Sequence, residues 1–179
     1  MTGIREQSSR VFLIDFGLAQ LFRDPLTRRH VPPESGFKTV GTIAFTSINS
    51  HLGQTQSRRD DLESLMYSIV YLCRGRLPWQ HIIKEGTVEQ YEAAVLEKKT
   101  AVAETLCQGL PLPFVMFTQH IQSLSFDEKP QYDHLRTLLM QCLALDSQGV
   151  VSNPVTAVVP SSLRKRGVPT TSPCGGKRM

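Results

Sequence analysis

The first residues able to do chemistry are Asp15-Phe16-Gly17, directly after the apolar run Val11-Phe12-Leu13-Ile14. So short a word is a weak signal by itself, and a turn that merely ends the strand is one reading of it. Metal chemistry finds no support in the histidine and cysteine spacing. The five histidines show no ligand pattern, and the four cysteines, Cys73, Cys107, Cys142 and Cys174, include no C-x-x-C pair. No zinc site is assigned, and the cysteines read as buried or free thiols in a reducing compartment.

The elements that would position Asp15 follow from pattern. Arg10 to Asp15 reads as a short strand. Residues 21–56 have little periodicity and are rich in Thr, Ser, Gly, Pro and Asn, which reads as a long structured loop of the kind that is often functional. Ser57, with Asp60 three residues on, opens a helix in a near capping box. Leu62, Leu65, Met66, Ile69, Val70, Leu72 and Cys73 give it a wide apolar stripe, so it is expected to be central and mostly buried, and Gly75 ends it. A second helix is capped by Thr87, with Gln90 three residues on, and runs to about Lys99. A third starts near Pro113 with Phe114, Phe117, Ile121 and Leu124 on one face. A fourth starts near Pro130 with Tyr132, Leu135, Leu138, Leu139 and Cys142 inward.

Composition sets the remaining bounds. The 179 residues are 40% hydrophobic and 20% charged, as expected of one globular domain with a tail. No apolar run approaches the ~20 residues of a membrane helix, and residues 1–10 do not resemble a secretory signal. No membrane partner is expected, and location is expected to be cytoplasmic, nuclear or both. From Asp146 on, five bases face one acid, which accounts for the whole net charge of +4. Residues 146–179 are therefore expected to be a flexible basic tail, and residues 1–145 a neutral body in which no nucleic-acid partner is expected.

The order strand, Asp15-Phe16-Gly17-Leu18-Ala19, long loop, buried helix is that of a protein kinase from its Asp-Phe-Gly through its activation segment. Later words are more specific. Gly41-Thr42, Ser47-Ile48-Asn49-Ser50-His51-Leu52-Gly53, Gln56-Ser57-Arg58-Arg59-Asp60-Asp61-Leu62-Glu63-Ser64-Leu65 and Leu77-Pro78-Trp79-Gln80 stand in series. Phe22-Arg23-Asp24-Pro25, Glu97-Lys98-Lys99 and Phe126-Asp127-Glu128-Lys129-Pro130 match as well. The series resembles the casein kinase I family of serine/threonine kinases, over about residues 4–145, in a variant some fungal members carry.

The resemblance implies a mainly α fold: the C-terminal lobe of a protein kinase with a short β element at its N-terminus. It implies magnesium and ATP as cofactors and protein substrates as partners. Asp15 matches the magnesium ligand, Phe16 the packing residue and Gly17 the hinge. Thr42 matches the threonine that bonds the catalytic Asp and Lys. Ser47, Ile48 and Asn49 close the activation segment, standing where most kinases carry Ala-Pro-Glu. Asp61 matches a buried structural Asp that braces the catalytic loop, leaving Asp60 and Arg58 as cap and surface residues.

Several kinase parts are absent from these residues. There is no G-x-G-x-x-G, no Val-Ala-Ile-Lys, and no His-Arg-Asp with Asn five residues beyond its Asp. Arg58-Arg59-Asp60 does not replace the last, since Leu65 stands where Asn is needed. No catalytic residue is assigned, and the chain alone is expected to be inactive. The resemblance is in register by about Ile4, as expected of a chain that begins inside a longer kinase, with a missing N-terminal lobe. Ala44 and the run Gly86-Thr87-Val88-Glu89-Gln90 replace the family's anion-binding bases, which puts a preference for acidic substrates in doubt. A kinase remnant that only binds a partner is the second functional expectation.

Overall fold

The computed structural model describes residues 10–80, 82, 87–101 and 105–147. The architecture there is mainly α-helical. The elements are α1 (Ile48–His51), α2 (Arg58–Arg74), α3 (Val88–Ala101), α4 (Leu112–Ser123) and α5 (Tyr132–Ser147). No helix among the described residues is long and apolar enough to cross a membrane. The expected basic tail lies, from residue 148 on, outside the described residues.

Local chemistry sets the helix ends close to where the sequence places them. At the start of α2 the Asp60 carboxylate accepts the Ser57 amide at 2.8 Å. The Ser57 hydroxyl faces the Asp60 amide in the reciprocal arrangement but makes no hydrogen bond of ordinary geometry. At the start of α3 the box closes in both directions. The Thr87 amide donates to Gln90 Oε1 at 2.9 Å, and the Gln90 amide donates to the Thr87 hydroxyl at 3.3 Å. Helix α2 stops at Gly75, whose φ of 70° lets its amide reach the Tyr71 carbonyl at 2.7 Å.

The core is built around α4, which packs on both α2 and α5. Met66, Tyr67 and Val70 of α2 join Phe114, Phe117 and Ile121 of α4 and Leu135 and Leu138 of α5. Leu77, Trp79, Val95, Leu106 and Cys107 extend it. Short α1 packs on α2 and α3. The expected α4 face, Phe114, Phe117, Ile121 and Leu124, is buried throughout.

Three expectations are corrected. Helix α2 is only half buried, because Leu65 is 46% and Leu72 75% exposed and Cys73 also faces out. Its neighbours among the described residues cover one side, so the wide stripe wraps beyond them. Tyr132, expected inward on α5, is 43% exposed at the first position of the helix, and the buried face of α5 is carried by Leu135 and Leu138. The strand expected at Arg10–Asp15 reduces to bridge geometry at Val11. A strand is held by hydrogen bonds to a neighbour, and no strand runs beside residues 12–15 among the described residues. Val11 and Leu13 are 83% and 82% exposed.

The long loop is structured, as expected. It is cross-tied by the antiparallel bridges Arg23↔His30 and Ser35↔Gln54, and it contains α1. Two contacts seat it on the helices. The Arg58 guanidinium lies 4.5 Å from the Phe22 ring centroid and donates to the Asp127 carbonyl at 2.6 Å. His30 meets Phe126 edge-on at 4.7 Å.

Gly53 closes the second bridge at φ +66°, and a Cβ there would sit 2.6 Å from the Phe37 carbonyl oxygen. Gly75 has nearly the same φ but open space around it. Gly53→Ala is therefore expected to destabilise by more than about 2 kcal/mol, and Gly75→Ala by about 1 kcal/mol. Urea denaturation of the two variants measures this, and equal losses would contradict the steric account.

Candidate functional site

Of the residues matched to kinase roles, Asp15, Phe16 and Gly17 lie on an exposed turn. Asp15 adopts φ 63°, and its Oδ1 accepts the Gly17 amide at 3.3 Å. That local bond supports a left-handed conformation that Asp tolerates better than most residues. Phe16, expected to pack, is 66% exposed. Thr42 is exposed, and its carbonyl accepts the amides of Phe45 and Thr46 at 2.8 and 3.1 Å, which folds residues 42–46 into a tight turn.

Ser47, Ile48 and Asn49 are brought together against the start of α2. The Ser47 hydroxyl donates to Asp60 Oδ1 at 2.8 Å and also caps α1 by accepting the Ser50 amide at 3.2 Å. Asn49 Nδ2 donates to the same Asp60 oxygen at 3.0 Å. The Ile48 amide donates to Glu63 Oε1 at 3.0 Å. The two acids that receive this segment are thus Asp60 and Glu63, three apart on one face of α2.

Asp60, expected as the cap of α2, makes that cap and is 1% exposed, while Asp61, which the resemblance matches to a buried Asp, is exposed among the described residues. Consecutive helical positions point about 100° apart, so only one of two adjacent acids can face α1. Ser57 fixes which one, because its amide is bonded by the residue three places on.

A second anchor lies on the other side of the turn. Lys99 of α3 is 2% exposed, and its ammonium donates to the carbonyls of Ile43, at 3.0 Å, and Thr46. Its third polar neighbour is His51 Nε2 at 3.0 Å. The ammonium also lies over the rings of Tyr67 and Trp79, 4.9 and 5.4 Å from their centroids. Trp79 Nε1 donates to the Ala44 carbonyl at 2.8 Å. Residues 43–49 are therefore gripped by side chains from α2, α3 and the stretch after α2.

Sequence reasoning assigned no role to Glu63, Lys99, Trp79 or His51. A signal existed for Lys99: it follows Val95 by one helical turn, on the stripe that faces the core. A lysine on an apolar stripe must find acceptors or lose its charge. Burial accordingly pulls Lys99 down to about 7, partly opposed by the Glu63 charge. Glu63 is pushed up by burial, with the hydrogen bonds from Tyr67 and Ile48 opposing this.

Asp15 offers one exposed carboxylate, and no group of three or more His, Cys, Asp or Glu side chains that could hold a metal occurs among the described residues. What the site does is hold a loop in one shape.

Removing the receiving carboxylate should show this. Asp60→Ala leaves the Ser47 hydroxyl, the Asn49 amide group and the Ser57 amide without their acceptor, and is expected to cost about 3 kcal/mol. Asp61→Ala should stay within about 0.5 kcal/mol of the parent. Thermal and urea unfolding of both variants distinguish them, and a larger loss from Asp61→Ala would contradict the assignment.

No protein-family model matches the chain.

Proposed function

We propose that this chain supplies the activation segment and helical lobe of a casein kinase I-like protein serine/threonine kinase. It would transfer phosphate from ATP to protein hydroxyls only together with a nucleotide-binding half that these residues do not contain. The observation that carries this reading is a convergence. Four of the sequence words that resemble the family, spread over residues 47–99, meet at one place. Ser47-Ile48-Asn49 sits on Asp60 and Glu63, and the turn before it on Trp79 and Lys99. A chance resemblance gives no reason for its words to touch.

In this reading the chain's own contribution is positional. Fixing residues 42–51 to α2, α3 and the stretch after α2 presents a rigid edge beside which an extended substrate segment can lie. Such positioning accounts for much of catalysis in phosphoryl transfer. The Asp that would act as general base is not among these residues, and losing such a base alone costs ~10²–10⁴-fold. The purified chain is thus expected to leave casein unlabelled in the presence of ATP and magnesium.

The decisive experiment joins residues 10–147 behind the N-terminal half of an active casein kinase I, through its catalytic loop. The chimera is expected to phosphorylate casein, and Asp15→Ala in the chimera to abolish labelling. A chimera that folds, binds ATP and remains inert would overturn the reading and favour a non-catalytic interaction module. Labelling by the purified chain alone would overturn the dependence on a second half.

A further inference from the structure

We propose that His51 and Lys99 form an acid-sensitive clamp, and that proton uptake at this pair releases the 43–51 segment from α3 while the helical core stays folded. The proposal depends on this geometry and is independent of the kinase reading.

The clamp is unusual in how the lysine is held. The ammonium has three protons and three polar neighbours: the carbonyls of Ile43 and Thr46, and Nε2 of His51. All three belong to the segment being held, and all three are neutral when the clamp is closed. No carboxylate lies within ion-pair distance of Lys99 among the described residues. Glu63 of α2 is near, but its Oε1 accepts the Tyr67 hydroxyl and the Ile48 amide. A buried cation is thus supported by dipoles and by the faces of Tyr67 and Trp79.

This arrangement works only while His51 is neutral, because Nε2 accepts from the ammonium through its lone pair. An imidazolium at 3.0 Å would set a second cation against the first in a half-buried site without a bonded counter-ion. Burial, and then the Lys99 charge, lower His51 to about 4. The other titratable groups facing the pair are Glu63 and Tyr67 of α2, with Asp60 behind Glu63. Burial raises Glu63, so acid also removes the one nearby negative charge that supports Lys99. Tyr67 is pushed up by burial and by Glu63, and stays neutral throughout.

The sign follows from proton counting. Both groups bind protons more weakly when the clamp is closed than when it is open. Acid therefore favours the open form, and stability rises with pH from about 4 to 6.5 through His51 and from about 7 to 10.5 through Lys99. Between about pH 7.5 and pH 5 the open-to-closed ratio is expected to rise roughly 30-fold through His51 and about fourfold through Lys99.

The test is amide hydrogen exchange on the full chain at about pH 7.5 and pH 5, corrected for the intrinsic rate at each pH. The groups to follow are the Trp79 indole N–H, whose acceptor is the Ala44 carbonyl of the held turn, and the amides of Thr46, His51 and Leu52, whose acceptors are Thr42, Ser47 and Ile48, with α4 and α5 as the internal reference. Opening of the segment is expected to increase on the order of 100-fold in acid, with the reference unchanged. His51→Gln keeps an acceptor but does not titrate, so its increase should fall to about fourfold. Lys99→Met should also blunt the response, and if that variant fails to fold, His51→Gln alone decides. Acid opening in His51→Gln equal to the parent's, an unresponsive parent, or equal acid exposure of α4 and α5 would each overturn the proposal.

Discussion

The Asp60 carboxylate sits buried on the first turn of α2, and burying a charge costs several kcal/mol unless donors replace the lost water. Here the donors come from Ser47, Asn49 and Ser57. Two of them belong to the segment that must be placed and one to the helix that places it. The cap of α2, the cap of α1 and the path of the chain between them are therefore one linked arrangement. Moving any donor leaves a buried anion short of partners, so the alternatives are few and the geometry is specific.

On the far side of the same segment the sign of charge is reversed. Lys99 brings a cation to backbone carbonyls, where Asp60 and Glu63 bring anions to an amide and polar side chains. The segment is thus held between acidic groups on α2 and a basic group on α3, each bonded mainly to neutral partners. Burial strains the charge on Lys99 more than opposing charge relieves it, which gives its downward shift. A fully apolar contact would hold the loop as firmly but without fixing its register, because hydrocarbon surfaces slide where hydrogen bonds do not.

Much of the helical architecture was legible in the sequence because it rests on local rules. Ser57 with Asp60, Thr87 with Gln90, and Gly75 are cap chemistry within a few residues, and the α4 face follows from helical spacing. The site was legible only in part. The words Ser47-Ile48-Asn49 and Asp60-Asp61 could be picked out, but which acid faces inward depends on how α1 lies across α2, a tertiary fact. Lys99 and Trp79 meet the segment 35 or more residues away in the chain, and no local pattern encodes such pairing. The run Arg10–Asp15 shows the converse failure, since β-forming composition states a capacity to pair, and among the described residues only Val11 of that run takes bridge geometry.

Trp79 is the only tryptophan in the chain, and its placement gives the molecule an optical property. The indole is 1% exposed, stands edge-on to Tyr67 at 4.9 Å, lies beneath the Lys99 ammonium, and is bonded through Nε1 to the Ala44 carbonyl. Its emission therefore senses one location, the seat of the 43–46 turn, and not the average state of the fold. Departure of the turn would remove a hydrogen bond from the indole and admit water beside it, shifting its fluorescence while the far-ultraviolet dichroism of the helices stays constant. The protein carries, without any label, a spectroscopic reporter of whether that loop is docked.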